Sequence, residues 1–109
     1  MAAPLFTVQD SEILAETDEL RVSRFTLAPG EVIPWHYHTH ARDRYVGLDG
    51  EITIETRAPR GNHVLVPGGE HQVAPKVAHQ VSNQGKSVAR FLLVQGIGEY
   101  DFVPIGGKR

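Results

Sequence analysis

Apolar and polar residues alternate along most of this chain, and glycine or proline interrupts the alternation at short intervals. Residues 20–27, Leu-Arg-Val-Ser-Arg-Phe-Thr-Leu, alternate and then meet Pro29-Gly30, a turn pair. A period of two is that of a strand, whose successive side chains point to opposite faces. Residues 32–38 read as extended. Residues 44–48 run into Asp49-Gly50, a pair favoured in tight hairpins, and residues 51–56 place Ile52 and Ile54 on one face. After the turn at Arg60-Gly61, short strands are predicted at 63–66, 72–74 and 78–82, closed by Pro67-Gly68-Gly69, Pro75 and Asn83-Gln84-Gly85. Residues 88–95 form the most apolar strand, residues 100–105 a last one, and residues 106–109 are expected to fray. No stretch carries helical periodicity. Ile13 and Leu14 could begin a helical turn within residues 10–20, but that segment is too short and too acidic to be assigned as one. About nine to eleven short strands with regular turn signals predict an all-β, closed or sandwiched, single-domain architecture over residues 1–109.

Composition narrows the function classes. With 109 residues there is room for one core. Hydrophobic residues make up 40% and charged residues 22%, and the formal net charge is −2, without a basic stripe interleaved with aromatics; nucleic acid is therefore not an expected partner. Apolar runs such as Phe91 to Val94 are far shorter than a membrane span. The first residues lack a basic segment followed by a long apolar one, so the expected location is the cytoplasm. The absence of cysteine excludes disulfides, thiolate ligands and a cysteine nucleophile. No internal repeat is present.

The chemistry lies in the histidines. His36 and His38 are one residue apart, so a strand projects them side by side, and a later strand can bring His79 opposite them. Three neutral imidazoles converging in a dry cleft suit Fe(II), Mn(II), Ni(II), Cu(II) or Zn(II). His40 is in phase with His36 and His38 and reads as a surface residue, with a substitute ligand or a proton shuttle at the pocket rim as the alternative. Tyr45 is in phase with Asp43, so its hydroxyl could line the pocket, and the Gln95 amide could contact a ligand if its face turns inward. Trp35 is out of phase with the histidines and should pack on the other side of its sheet. His63, His71, Arg57 and Arg60 lie near turns and read as surface residues. Gly30, Gly50, Gly69 and Asn83 are expected to supply positive-φ turn conformations.

The spacing around these histidines carries a resemblance. Gly30, five residues, His36-Tyr37-His38, four residues, Asp43, six residues and Gly50 match the first motif of the cupins, G-x5-H-x-H-x4-E-x6-G, with Asp43 in place of glutamate. Gly69, five residues and Pro75, then His79, three residues and Asn83, follow the second motif, G-x5-P-x-G-x2-H-x3-N. There Val77 replaces its second glycine and the histidine comes one residue early. The chain thus resembles the cupins from 30–50 and 69–83, and the resemblance implies a jelly-roll β-barrel. It also implies one divalent transition metal ion held by His36, His38, His79 and Asp43. Asp43 is one methylene shorter than glutamate and could ligate the ion, hold a bound water, orient an imidazole, or simply pair with Arg42 or Arg44 on the surface.

A barrel of this size encloses one small ligand. The implied function is a metal-dependent enzyme acting on a small oxygen-rich hydroxy, keto or carboxylate substrate. Dioxygenase-like cleavage is the first expectation, followed by decarboxylation or isomerisation, with Asp43, Tyr45 and His40 as the candidate catalytic groups. The competing expectation is a non-catalytic ligand-binding or sensing cupin; a structural barrel with a vestigial site fits the intact histidine trio less well. A homodimer is also implied, with residues 100–105 as a candidate contact.

Overall fold

The computed structural model describes residues 6–96 and 98–105; the tail expected to fray, 106–109, lies outside them. The described residues form ten strands and no helix. The strands are β1 (Asp10–Glu16), β2 (Arg21–Leu27), β3 (Val32–Tyr37), β4 (Arg42–Asp49) and β5 (Ile52–Thr56). They continue as β6 (Gly61–Leu65), β7 (Glu70–Val73), β8 (His79–Ser82), β9 (Ala89–Gly96) and β10 (Val103–Pro104). Two five-stranded sheets result, ordered β1-β2-β9-β4-β7 and β10-β3-β8-β5-β6, with every pairing antiparallel. Only β1–β2 and β5–β6 are hairpins. Every other connection passes from one sheet to the other, which rolls the chain into a jelly-roll barrel.

The core lies between the sheets. Leu27, Ile33, Ile52, Ile54, Leu65, Val81, Phe91 and Leu93 are buried there, with Phe25 stacked on Phe91 at a centroid distance of 5.4 Å. One close approach requires glycine. A Cβ on Gly47 would lie 2.2 Å from the Val66 carbonyl oxygen, and the backbone N–H of Gly47 donates to the Gly69 oxygen at 3.0 Å.

Four local expectations are corrected. Residues 10–16 form an edge strand, β1, that the pattern did not reveal: all seven residues are exposed, so no face is apolar, and backbone bonding to β2 makes the strand. Asp49-Gly50 is not a hairpin turn, because β4 and β5 belong to different sheets. Gly50, at φ +64°, turns the chain across the barrel end against Val88 and Ala89. The last strand shrinks to Val103–Pro104. Of the four turn residues, Gly30 and Gly50 have positive φ, whereas Gly69 and Asn83 do not; Gly68 takes the left-handed position instead. Asn83 acts through its side chain, donating to the Leu27 and Ser87 carbonyls and accepting from the Gly85 N–H.

Candidate metal centre

A bulge decides which way the first two histidines face. On β3, Ile33 pairs with Val81 but His36 pairs with His79, so Pro34 and Trp35 together stand opposite Gln80. Pro34 has no N–H to give to the ladder, which suits it to this position. The extra residue reverses the phase of the strand. Ile33 and His36 are therefore both buried. Trp35 faces outward, as expected, and the Arg57 guanidinium lies 4.1 Å above its ring. β3 ends at Tyr37 and the chain bends at Thr39 and His40, so the phase that would have aimed His40 inward stops there; His40 is exposed.

The ligand atoms of His36, His38, Asp43 and His79 lie within 4.8 Å of one another, and all four side chains are buried. Each histidine is oriented by a backbone carbonyl. Nδ1 of His36 donates to Pro34 O at 2.7 Å and Nδ1 of His79 to Val77 O at 2.9 Å, while Nδ1 of His38 donates to Asp101 O. A carbonyl can only accept, so each Nδ1 carries its proton and Nε2 is left as the ligand atom. Nε2 of His38 and of His79 approach Asp43 Oδ2 at 3.1 and 3.0 Å. The Tyr45 hydroxyl donates to the same oxygen at 3.0 Å, and Gln95 Nε2 donates to Oδ1 at 3.1 Å. The shorter aspartate side chain therefore does reach the imidazole nitrogens.

This donor set fits a divalent transition ion. With their Nδ1 protons committed to carbonyls, His38 and His79 can meet the Asp43 carboxylate only as imidazolium ions or with a metal cation standing in for the shared protons. Either arrangement neutralises a fully buried carboxylate. Three imidazole nitrogens and one carboxylate oxygen match first-row metals in type.

The protonation balance agrees. Burial and the nearby His79 hold His36 down to about 3. Burial alone would depress His38 as well, but its hydrogen bond to Asp43 and that group's charge raise it above the usual imidazole value. Burial would raise Asp43, yet the bonds from His38 and His79 pull it well below the carboxylate range. Burial, then the Asp43 charge and hydrogen bond, push Tyr45 well above an ordinary phenol, so it stays a neutral donor.

Several contributors were not singled out in the sequence. Phe102 stacks on His36 at 4.2 Å with planes 15° apart, and Tyr100 lies 5.4 Å from His38. Asp101 binds His38 through its carbonyl and Thr39 through its carboxylate. The end segment offered as a dimer contact thus covers its own chain's histidines; its aromatic spacing, Tyr100-Asp101-Phe102, was the available signal. Arg21 was also missed, although it shares the inward phase of Ser23, Phe25 and Leu27 on β2. His63 and His71, read as plain surface, stack at 4.1 Å across the seam between β6 and β7. They line a separate open cavity of about 440 Å³ with Arg42 and Arg60, away from the histidine cluster.

Fold and centre together define a cupin, and the chain belongs to the cupin domain family, whose pattern matches residues 23–95. No curated protein matches it. Among solved structures it is similar to an uncharacterized conserved protein with a double-stranded beta-helix domain from Klebsiella pneumoniae. That likeness covers 96% of this chain and 90% of the other, at 22% identity and a TM-score of 0.80. Oxalate oxidase in complex with the substrate analogue glycolate is similar over 80% of this chain and 46% of its own length, at 19% identity and a TM-score of 0.72. KdgF from Halomonas is similar over 82% and 80%, at 16% identity and a TM-score of 0.72. At these identities the likeness is one of fold.

Proposed function

We propose that this chain is a metal-dependent enzyme acting on a small oxygen-rich acid, with dioxygenase-like oxidative cleavage as the leading reaction and decarboxylation or isomerisation next. The convergence of three buried imidazoles, each fixed by a carbonyl on Nδ1, carries this reading. His36, His38 and His79 would hold the ion, with Asp43 within reach as a fourth ligand. Bound there, a divalent transition metal supplies Lewis acidity and open positions for oxygen donors. Gln95 and Tyr45 hold the Asp43 carboxylate in place; Tyr45 keeps its proton and serves as a positioning donor. Phe102 and Tyr100 exclude water from the imidazole faces. Similarity of fold to an oxalate oxidase that binds glycolate supports a small acid as the substrate class.

A non-catalytic binder of the same ligand is favoured by one observation. The cavity beside the cluster is only about 50 Å³, and aromatic rings make up much of its wall. Turnover of hydroxy and keto acids by the metal-loaded protein, followed as substrate loss and oxygen uptake, separates the two readings. The metal reading itself is tested by elemental analysis of the wild type and of His36→Ala, His38→Ala and His79→Ala. One ion per wild-type chain and depleted variants are expected; undiminished metal in all three variants would overturn it. We also propose a homodimer. Supporting it, β1 is exposed at every residue, Ile13 and Leu14 included. Light scattering is expected to give twice the 12.0 kDa chain mass, and a monomer would refute the pairing.

A further inference from the structure

The cross-strand register lays out one row of inward-facing residues leading away from the candidate centre. Asp43 pairs with Gln95, Gln95 with Arg21, and Arg21 with Glu16. Residues directly opposite on neighbouring strands project to the same face. Asp43 and Gln95 are buried in the barrel, so Arg21 stands on that same inner face two strands away, at about 10 Å between backbones. The small cavity beside the histidines confirms the placement, because Arg21 lines it together with His36, His38, Tyr45 and Gln95. The rest of its described wall is Ser23 and apolar or aromatic side chains, so Arg21 is its one permanently charged member among the described residues.

Arg21 is also held in place. Its Nε donates to Glu16 at 3.2 Å, and its guanidinium lies 4.2 Å above the Tyr100 ring. Glu16 engages Nε alone, which leaves terminal N–H donors, and a guanidinium matches a carboxylate in shape and charge. Glu16 is half-exposed at the rim, where solvent weakens its pairing and a buried anion can compete with it.

We propose that Arg21 is the carboxylate-recognition residue of this pocket. The ligand is then a short acid whose carboxylate meets Arg21 while a neighbouring hydroxyl or carbonyl oxygen faces the histidine cluster. The inference rests on the metal-dependent reading above and narrows its substrate class. A cavity of about 50 Å³ holds roughly two waters and is open on one side, so it selects the shortest acids, of which glycolate is the natural probe, over bulky ones.

Calorimetric titration of the metal-loaded protein with glycolate and with its neutral amide, glycolamide, tests this. Glycolate is expected to bind the wild type at least tenfold tighter than glycolamide, and Arg21→Gln to remove that preference while metal content stays at the wild-type value. Arg21→Lys should recover part of it. Glu16→Gln, which removes the salt bridge but keeps the guanidinium, should bind glycolate as well as or better than the wild type. No glycolate binding by the wild type, an unchanged preference in Arg21→Gln, or an equal loss in Glu16→Gln would overturn the assignment. Metal content in the histidine variants reports separately on the reading beneath it.

Discussion

The two ends of the barrel are built from the same strands and filled with opposite materials. At one end β2, β3, β8 and β9 contribute Leu27, Ile33, Val81 and Phe91; at the other they contribute Arg21, His36, His79 and Gln95. β4 adds Asp43 to the polar end, while its Gly47 lets the backbone approach Val66 closely at the apolar end. An inward position is therefore not the same thing as an apolar position. The apolar end is stabilised by area removed from water. The polar end tolerates the buried Asp43 carboxylate because both of its oxygens are engaged by His38, His79, Tyr45 and Gln95.

Substitutions at the two ends should separate stability from binding. Leu27→Ala, at a fully buried apolar position, is expected to lower unfolding stability by about 2–5 kcal/mol in chemical denaturation while leaving one metal per chain. Metal loss together with the stability loss would mean that the two ends are not separable.

Acid should act on the polar end in two stages in the metal-free protein. His36 is held to about 3 when folded, against an unfolded value near 6.5, so between those values the unfolded chain takes up a proton that the folded chain refuses. Its contribution to stability falls as pH drops from about 6.5 toward 3. Asp43, depressed by His38 and His79, contributes stability that is present above about 3.8 and is lost below it. His38, raised by Asp43, works in the opposite sense, and its contribution fades as pH rises through its folded value. Melting temperature against pH should show the first stage, and His36→Leu should flatten it; an unchanged slope in that variant would contradict the assignment.

Tyr45→Phe removes one donor from Asp43 and should weaken metal binding by about tenfold, measured by competition with a chelator. Unchanged affinity would leave Tyr45 as core packing alone. The smallest effect is expected at Lys76, an exposed residue at φ +69° whose N–H donates to the His38 carbonyl. Lys76→Gly should relieve the left-handed strain and raise stability by about 1 kcal/mol while keeping that bond.

Much of this was legible in the sequence, and the exceptions have physical causes. The spacing of His36, His38, Asp43 and His79 identified the residues that the fold brings together. It could not say which face of β3 they occupy, because the strand pattern alone puts His36 on the side opposite Ile33; the bulge at Pro34 and Trp35 resolves this, and a proline inside a strand was the clue. β1 went unseen because an edge strand with both faces exposed has no alternation to read. Asp49-Gly50 misled because a left-handed glycine serves a hairpin and a barrel corner equally well. Arg21 was passed over because a charged residue in the inward phase looks like the edge of a pattern rather than part of a pocket.

The most direct test of the central claim is a crystal structure of the metal-loaded protein with anomalous diffraction data. One ion is expected, bonded to Nε2 of His36, His38 and His79, with Asp43 beside it. No anomalous peak at the cluster after loading, or the only peak at another place such as the His63–His71 seam, would contradict it.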